Sequence, residues 1–153
     1  KKCLKLVEST YKMLDLNNIT IHPQMIEDFD MLNLKGCRYS IENVKPKKNF
    51  DTEKLKKLMR KYPPFGFIID TNHAMLYSNE KIKEMFDEFF SKTRFIHFSD
   101  LNHSPYLNSK GKRREILNEI IKKDVPIMIE TEGQKKEDIK KELELIRFST
   151  QRK

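Results

Sequence analysis

The sequence has little cysteine and no long apolar run. Cys3 and Cys37 are its two cysteines, too few for a disulfide framework, so a reducing intracellular compartment is the expected location. No stretch of about 18 apolar residues is present that could span a membrane, and no basic-then-apolar leader opens the chain. We therefore expect a cytoplasmic protein that is neither secreted nor inserted in a membrane.

Glycine and proline are also scarce. The 4 glycines and 6 prolines separate periodic segments and form no linker, and the length of 153 residues fits one domain. The 10 Phe and 5 Tyr supply enough bulky apolar material to exclude full disorder. The 31 Lys and Arg outnumber the 23 Asp and Glu, which gives a net charge of +8. That charge suits a nucleic acid or a phosphorylated substrate, but a generally lysine-rich surface explains it equally well.

Short β-branched or apolar runs alternate with helical periodicities along the chain. Strands are predicted at 19–21, 38–42, 66–70, 94–99 and 125–129. Helices with an apolar stripe are predicted at 1–15, 52–61, 79–92, 113–122 and 135–147, and Asp51 is placed to cap the second of them. This alternation predicts an α/β protein with a parallel sheet.

Two parallel architectures fit this order of elements. One is an open, doubly wound sheet of flavodoxin type, and the other is the later part of a (β/α)8 TIM barrel. The first periodic segment is a helix with no strand before it. We therefore expect residues 1–153 to form a single domain that is an incomplete barrel of about five β/α units.

An ionisable residue that can bind a metal follows or ends every predicted strand. These residues are His22, Glu42, Asp70 with His73, His97 with Asp100, and Glu130. The carboxyl ends of parallel strands lie on one face, so these side chains are expected to converge. Neighbouring carboxylates repel one another, and a divalent cation removes that conflict. A shell of oxygen and nitrogen ligands suits Mn²⁺, Zn²⁺, Co²⁺ or Mg²⁺.

The simpler explanation of each residue is structural. A single acidic residue at a strand end is usually a helix cap or a surface charge, and a lone histidine before a proline usually has no ligand. Five strand ends in succession are much harder to explain in this way. The preferred interpretation is therefore a metal shell made of Glu42, Asp70, His97 and Glu130.

Four short motifs occur in order at these strand ends. They are Ile-Glu-Asn at 41–43, Ile-Asp-Thr-Asn-His-Ala at 69–74, Ile-His-Phe-Ser-Asp at 96–100 and Ile-Glu-Thr at 129–131. The ordered set resembles the xylose-isomerase-like TIM barrels, which include sugar and sugar-phosphate isomerases and epimerases as well as endonuclease IV, of the second family of AP endonucleases. The resemblance spans about residues 19–147. It implies that the chain corresponds to strands four to eight, with the first three supplied by a missing N-terminal segment or a partner chain.

The resemblance also implies residue roles. Glu42, Asp70, His97 and Glu130 match the metal shell shared by both branches of the superfamily. His22 and His73 match further ligands in endonuclease IV, whereas in the epimerases the position of His73 touches the substrate. Asp100 matches the acid that follows the histidine of the seventh strand.

The chain departs from the endonuclease branch at one place. That branch carries an Asp-x-His pair after the seventh strand, which completes a third metal site. Residues 104–114 contain no such pair, and His103 lies too early to replace it, although an additional metal or substrate contact remains open to it. The resemblance therefore favours a one-metal isomerase or epimerase, with an AP endonuclease acting on damaged DNA as the alternative.

In the isomerase hypothesis, a metal chelates the carbonyl and a neighbouring hydroxyl of the sugar and stabilises an enediolate. Glu42 and Glu130 then form an acid/base pair, with His73 as a third catalytic residue. The basic residues that could hold a substrate phosphate are Lys112 and Arg113, together with Lys45, Lys47, Lys48 and Arg114. A solvated basic surface is the simpler explanation for any one of them. A non-catalytic domain on a decayed barrel is a third hypothesis, against which the intact ligand set argues.

Overall fold

The structure is a computed structural model that describes residues 2–32, 36–45 and 51–150. The strands are β1 (Ile19–Ile21), β2 (Tyr39–Glu42), β3 (Gly66–Asp70), β4 (Thr93–Phe98) and β5 (Ile127–Ile129). The helices are α1 (Lys2–Met13), α2 (Thr52–Lys61), α3 (Thr71–Met75), α4 (Asn79–Phe89), α5 (Gly111–Ile121) and α6 (Lys136–Thr150). The predicted α/β class is confirmed.

The five strands are all parallel and lie side by side in chain order, β1-β2-β3-β4-β5. A doubly wound sheet reverses its order at a switch point, so the flavodoxin-type alternative is wrong. Right-handed crossovers between strands in sequential order place the helices on one side and let the sheet curl. The described residues form a curled half-barrel, consistent with part of a TIM-like fold, and a full eight-stranded barrel is not formed among them.

The hydrophobic core lies between the sheet and its helices. Alternate strand residues such as Ile41, Phe67 and Ile96 face this side and are fully buried. They pack with helix residues that recur at helical spacing, among them Leu55 and Met59 of α2, Ile82, Met85 and Phe86 of α4, and Leu117, Ile120 and Ile121 of α5. The opposite set of strand positions is thereby left for the concave face, which carries the candidate site.

The concave face is only partly covered. Met128 of β5 has 54% of its surface exposed, and β1 and β5 each pair on one side only within the described sheet. Unpaired edges of this kind are the ones expected of an incomplete barrel. None of the described helices is long and apolar enough to cross a membrane.

Local differences from the predicted elements have local causes. The strand predicted at 125–129 begins at Ile127, because Pro126 has no N–H for the ladder, although its carbonyl accepts a hydrogen bond from Ile96 N at 2.9 Å. The helix predicted over 79–92 ends at Phe89 and continues as a 3-10 turn over Phe90–Lys92. The short helix α3 was not predicted from the sequence. Asp70 caps it by accepting a hydrogen bond from His73 N at 2.8 Å.

Candidate metal centre

Three of the predicted ligands occupy matching positions on neighbouring strands. Glu42 ends β2, Asp70 ends β3 and His97 is the next-to-last residue of β4. Asp70 pairs with His97 in the register of β3 and β4, and Glu42 pairs with Ile68, two residues before Asp70. Because side chains alternate along a strand, all three project from the concave face.

These three side chains form a buried group. Glu42, Asp70 and His97 each offer a ligand atom, and the three atoms lie within 4.8 Å of one another. An ion bound at about 2.2 Å holds its ligands no more than roughly 4.4 Å apart, so little contraction is needed. The group can therefore hold a metal ion. We call it the triad.

Two atoms of the triad lack a hydrogen-bond partner among the described residues. Asp70 Oδ2 and His97 Nδ1 are both buried, and neither makes a hydrogen bond there. Buried polar atoms in folded proteins are almost always satisfied. A carboxylate oxygen and an imidazole nitrogen are both good ligands for divalent metals, so a cation would satisfy the two atoms together.

Imidazole groups face both carboxylate oxygens of Glu42. His22 Nε2 lies 3.1 Å and His97 Nδ1 lies 3.4 Å from its Oε2, and His73 Nδ1 lies 3.4 Å from its Oε1. The His22 and His73 rings meet edge to face, with centroids 6.5 Å apart. The predicted convergence thus includes His22 and His73 as well as the triad.

One nitrogen of His73 is committed to a hydrogen bond. Its Nδ1 lies 2.9 Å from the backbone oxygen of Asn43, and a carbonyl only accepts, so Nδ1 carries the proton. The same nitrogen lies 3.1 Å from Asp70 Oδ2. His73 Nδ1 thus lies close to the carboxylates of both Glu42 and Asp70. A substrate contact would be made by its other nitrogen, Nε2.

Glu130 lies on the open side of the triad. Its backbone N–H donates to Phe98 O at 3.1 Å, which extends the β4–β5 ladder by one residue. Its Oε2 lies 3.2 Å from His97 Nδ1, and its side chain is 46% exposed, against 3% for Glu42. His97 thus stands between a buried glutamate and one that reaches solvent.

The site perturbs the acidity of its own residues. Burial alone would raise the pKa of Glu42, but the close approach of the His73 and His97 imidazoles and the charges of His97 and His22 outweigh it and hold that pKa well below its usual value. Burial raises the pKa of Asp70 to about 6, against the opposing influence of His73. Burial lowers the pKa of His73 and His97, but the nearby carboxylate of Glu42 and the other surrounding carboxylates outweigh it and leave both pKa values raised. In the absence of a cation, the site therefore favours protonated imidazoles around an ionised Glu42.

Asp100, an expected additional ligand, is occupied by its own loop. Its carboxylate accepts hydrogen bonds from Ser109 Oγ at 2.5 Å and Leu101 N at 2.7 Å, and it lies 3.0 Å from Arg113 Nε. The structure does not bring it into the triad. Asp100 instead ties the loop after β4 to the first turn of α5.

His103 is likewise occupied at both ring nitrogens. Nδ1 faces the carbonyl of Glu130 at 3.2 Å and Nε2 faces the amide nitrogen of Asn72 at 2.9 Å, so Nδ1 donates and Nε2 accepts. Asn102 and His103 both have left-handed backbone conformations, with φ of 59° and 53°. These bonds hold the strained turn in place beside the site and leave neither nitrogen for a metal.

Three of the basic residues proposed for a phosphate, Lys112, Arg113 and Arg114, lie in the first turn of α5. Lys112 forms an exposed ion pair with Glu80, and Arg113 pairs with Asp100. Arg114 lies over the Tyr106 ring at 3.7 Å and donates to the Tyr106 carbonyl. Lys45 is exposed, and Lys47 and Lys48 lie outside the described residues.

Sequence reasoning missed two asparagines that support the site. Asn43 exchanges two hydrogen bonds with the backbone of Asp70, and Asn72 holds the turn at 102–103. Both adjoin predicted ligands in the motifs Glu-Asn and Asp-Thr-Asn-His. A buried amide next to a ligand was the available signal, because such side chains commonly orient metal ligands.

Comparison with protein-family models, with curated proteins and with solved structures finds no match for this chain.

Proposed function

We propose that the protein is a divalent-metal-dependent isomerase or epimerase that acts on a sugar or sugar phosphate through an enediolate. The observation that carries this proposal is the arrangement around His97. His97 belongs to the buried triad, in which Asp70 Oδ2 and His97 Nδ1 have no hydrogen-bond partner among the described residues. The exposed carboxylate of Glu130 approaches the same imidazole from the open side. This is the placement that a proton acceptor beside a metal-bound substrate requires.

The triad would bind Mn²⁺, Zn²⁺, Co²⁺ or Mg²⁺, and that ion would supply the Lewis acid that polarises a substrate carbonyl. Glu130 would remove the proton from the carbon next to the carbonyl. The electron pair of that C–H bond would form the C=C bond of the enediolate while the carbonyl π pair moves onto oxygen. Return of the proton by Glu130 to the former carbonyl carbon, together with transfer of the hydroxyl proton from the neighbouring oxygen to the former carbonyl oxygen, would complete an isomerisation.

Epimerisation needs a proton donor on the opposite side of the substrate. His73 would supply that proton from its Nε2, because its Nδ1 proton is held by the carbonyl of Asn43 and the raised pKa of the ring favours its protonated form. A substrate phosphate would be met near Arg113, which its ion pair with Asp100 holds at the first turn of α5.

A second candidate function is phosphodiester hydrolysis on damaged DNA. It is favoured by the imidazoles on both oxygens of Glu42, because a carboxylate placed in this way can bridge two metal ions. The net charge of +8 would assist binding to a nucleic acid backbone. Against it, both nitrogens of His103 and the carboxylate of Asp100 are committed elsewhere, which removes the residues available for a third ion.

The test combines metal content with two assays. The full chain is equilibrated with Mn²⁺ or Zn²⁺, dialysed and measured for metal per chain. It is then assayed for incorporation of solvent deuterium into a panel of ketoses and ketose phosphates and for nicking of a duplex with an abasic site. One ion per chain and deuterium incorporation support the isomerase. Two or three ions with nicking and no incorporation would overturn it in favour of the hydrolase.

A further inference from the structure

Glu130 lies in a weakly supported part of the sheet. It follows β5, a strand of three residues that are all at least partly exposed and that pair with β4 alone among the described strands. Its backbone N–H donates to Phe98 O, and its side chain is 46% exposed. Short segments with few buried contacts open readily. A proton acceptor needs a fixed position, because a displacement of about 1 Å can lower a rate roughly 100-fold.

The turn formed by Asn102 and His103, here called the 102–103 turn, supports Glu130 from the neighbouring loop. His103 Nδ1 lies 3.2 Å from the carbonyl oxygen of Glu130. The carbonyl oxygen of His103 accepts a hydrogen bond from Glu132 N at 3.1 Å. A single loop residue therefore holds the chain at both Glu130 and Glu132.

Asn72 fixes the orientation of the His103 ring. Asn72 Oδ1 accepts a hydrogen bond from Asn102 N at 2.8 Å, so its Nδ2 is the atom that lies 2.9 Å from His103 Nε2. The NH₂ of an amide only donates, so Nε2 accepts and the ring proton is on Nδ1. That proton is donated to the carbonyl of Glu130. The orientation of one amide thus determines both hydrogen bonds of the imidazole.

These hydrogen bonds connect Glu130 to the triad. Asn72 is 1% exposed and lies two residues after Asp70, in the short helix α3 that Asp70 caps. Asn72, His103 and Glu130 form a continuous series of hydrogen bonds from the end of β3 to the end of β5. The series joins the strands on either side of β4, which carries His97. The position of Glu130 relative to the triad therefore depends on it.

The 102–103 turn keeps a backbone conformation that favours glycine. Asn102 and His103 have φ of 59° and 53°, in the left-handed region. Residues strained in this way persist where surrounding contacts hold them, and they cluster at functional sites. The loop is also closed by its own backbone, with hydrogen bonds from Asp100 N to Ser104 O at 2.8 Å and from Ser104 N to Leu101 O at 3.3 Å. Its side chains are thus held in one place beside the site.

We propose that His103 is a positioning residue that, together with Asn72, holds Glu130 in place as the proton acceptor beside the triad. Both nitrogens of His103 are committed, so it acts through the backbone of Glu130 and not on the substrate. The expected effect on turnover rests on the proposed function. The restraint on Glu130 does not depend on that function and is measured separately.

The test replaces His103 by two residues that both tolerate a left-handed backbone. His103→Gly removes the ring, whereas His103→Asn keeps an N–H donor near the position of Nδ1. A matched control is Asp15→Gly, because Asp15 is exposed and also left-handed, with φ of 48°. Thermal melting followed by circular dichroism checks that each variant is folded.

The restraint is measured on the full chain by amide hydrogen exchange with ¹H–¹⁵N NMR. In His103→Gly, the amides of Glu130 and Glu132 should exchange at least about tenfold faster than in the wild type, because the turn no longer holds them. In Asp15→Gly their exchange should be unchanged.

Turnover is measured by solvent deuterium incorporation with Mn²⁺, using whichever ketose or ketose phosphate the wild type converts fastest. In His103→Gly, kcat should fall about 10- to 100-fold, because the proton acceptor is misplaced. KM should change less than about twofold, because the triad that holds the metal ion is intact. His103→Asn should keep kcat within about threefold of the wild type, the effect of losing the one hydrogen bond to Asn72. Asp15→Gly should be fully active.

Unchanged amide exchange or unchanged kcat in His103→Gly would overturn the proposal. An equal loss of kcat in His103→Asn and His103→Gly would also overturn it, because the retained donor would then have no effect. If the wild type incorporates no deuterium, the proposed function fails instead. The exchange of the Glu130 and Glu132 amides then still decides whether His103 restrains Glu130.

Discussion

Asn43 clamps the backbone of Asp70 from both sides. Its Oδ1 accepts a hydrogen bond from Asp70 N at 2.7 Å, and its Nδ2 donates to Asp70 O at 2.9 Å. Both residues are buried, and Asn43 directly follows Glu42. The spacing between two residues of the triad is therefore maintained by a neighbouring amide that does not belong to it.

Asn43→Ala should destabilise the protein and loosen the triad. The change leaves the buried N–H and C=O of Asp70 without their partner, so we expect a loss of about 2–4 kcal/mol in the free energy of unfolding, measured with urea. Metal affinity should fall roughly 10- to 100-fold, as for other residues that orient ligands. Asn17→Ala, at an exposed position, is the control and should change neither quantity. If the free energy of unfolding of Asn43→Ala equals that of the wild type, the hydrogen bonds between Asn43 and Asp70 do not stabilise the fold.

Glu130→Gln should abolish turnover and preserve the fold. The change keeps the shape of the side chain but removes the proton acceptor, so kcat should fall at least about 100-fold. In the metal-free protein the change removes both the repulsion from Asp70 and the attraction of protonated His97, so the melting temperature should change little. The exposed Glu132→Gln is the matched control and should keep full activity. Equal activity in Glu130→Gln and Glu132→Gln would show that Glu130 is only a surface carboxylate.

The stabilising effect of metal should increase with pH. The pKa values of His73 and His97 are raised above the ordinary 6.5, so their stabilisation of the metal-free fold is present below that pH and is lost as the pH rises through the folded-state values. Asp70, with a pKa raised from 3.8 to about 6, also makes the metal-free fold less stable as the pH rises through that interval. Binding of a metal requires deprotonated ligands.

Thermal melting should therefore show two opposite trends between about pH 5.5 and pH 8. As the pH rises, the melting temperature of the metal-free protein should fall. The rise in melting temperature that Mn²⁺ or Zn²⁺ produces should become larger. A metal-induced shift that is the same at both ends of this range would argue that the ion binds away from these groups.

Gly66→Ala should destabilise the sheet at the start of β3. A Cβ at position 66 would lie 2.4 Å from Arg94 Nε and 2.7 Å from Ser40 Oγ. Arg94 cannot withdraw freely, because it donates to Asn18 Oδ1, Tyr39 O and Pro64 O. We expect a loss of about 1–3 kcal/mol by urea unfolding, the usual cost of overpacking. In Arg94→Ala the same glycine substitution should cost much less, and an undiminished cost there would locate the strain elsewhere.

Much of the fold follows from local patterns. The bounds of β1, β3 and α2 agree with their prediction, because β-branched runs and an Asp51 cap are local signals. The turn at Asn102 and His103 could not be predicted in this way. It depends on hydrogen bonds with Asn72, about 30 residues earlier, and on the carbonyl of Glu130, 27 residues after His103.

The same distinction applies to the site. The convergence of Glu42, Asp70 and His97 follows from the alternation of side chains along neighbouring parallel strands. This alternation can be predicted directly from the sequence. The separation of Asp100 from that group cannot be predicted from strand alternation, because it depends on which loop residues contact its carboxylate. Ser109 and Arg113 do so, and nothing in the spacing of the motif indicates them.

Calorimetric titration of Mn²⁺ into the full chain measures whether the triad binds a divalent cation. Wild-type protein should bind the ion through the triad, and Asp70→Asn should bind it at least about 100-fold more weakly while remaining folded, since loss of a ligand exceeds the effect of losing its support. Asp28→Asn, at an exposed position, should bind as the wild type does. Equal affinity in wild type and Asp70→Asn, or no binding to the wild type, would show that the triad is not a metal site.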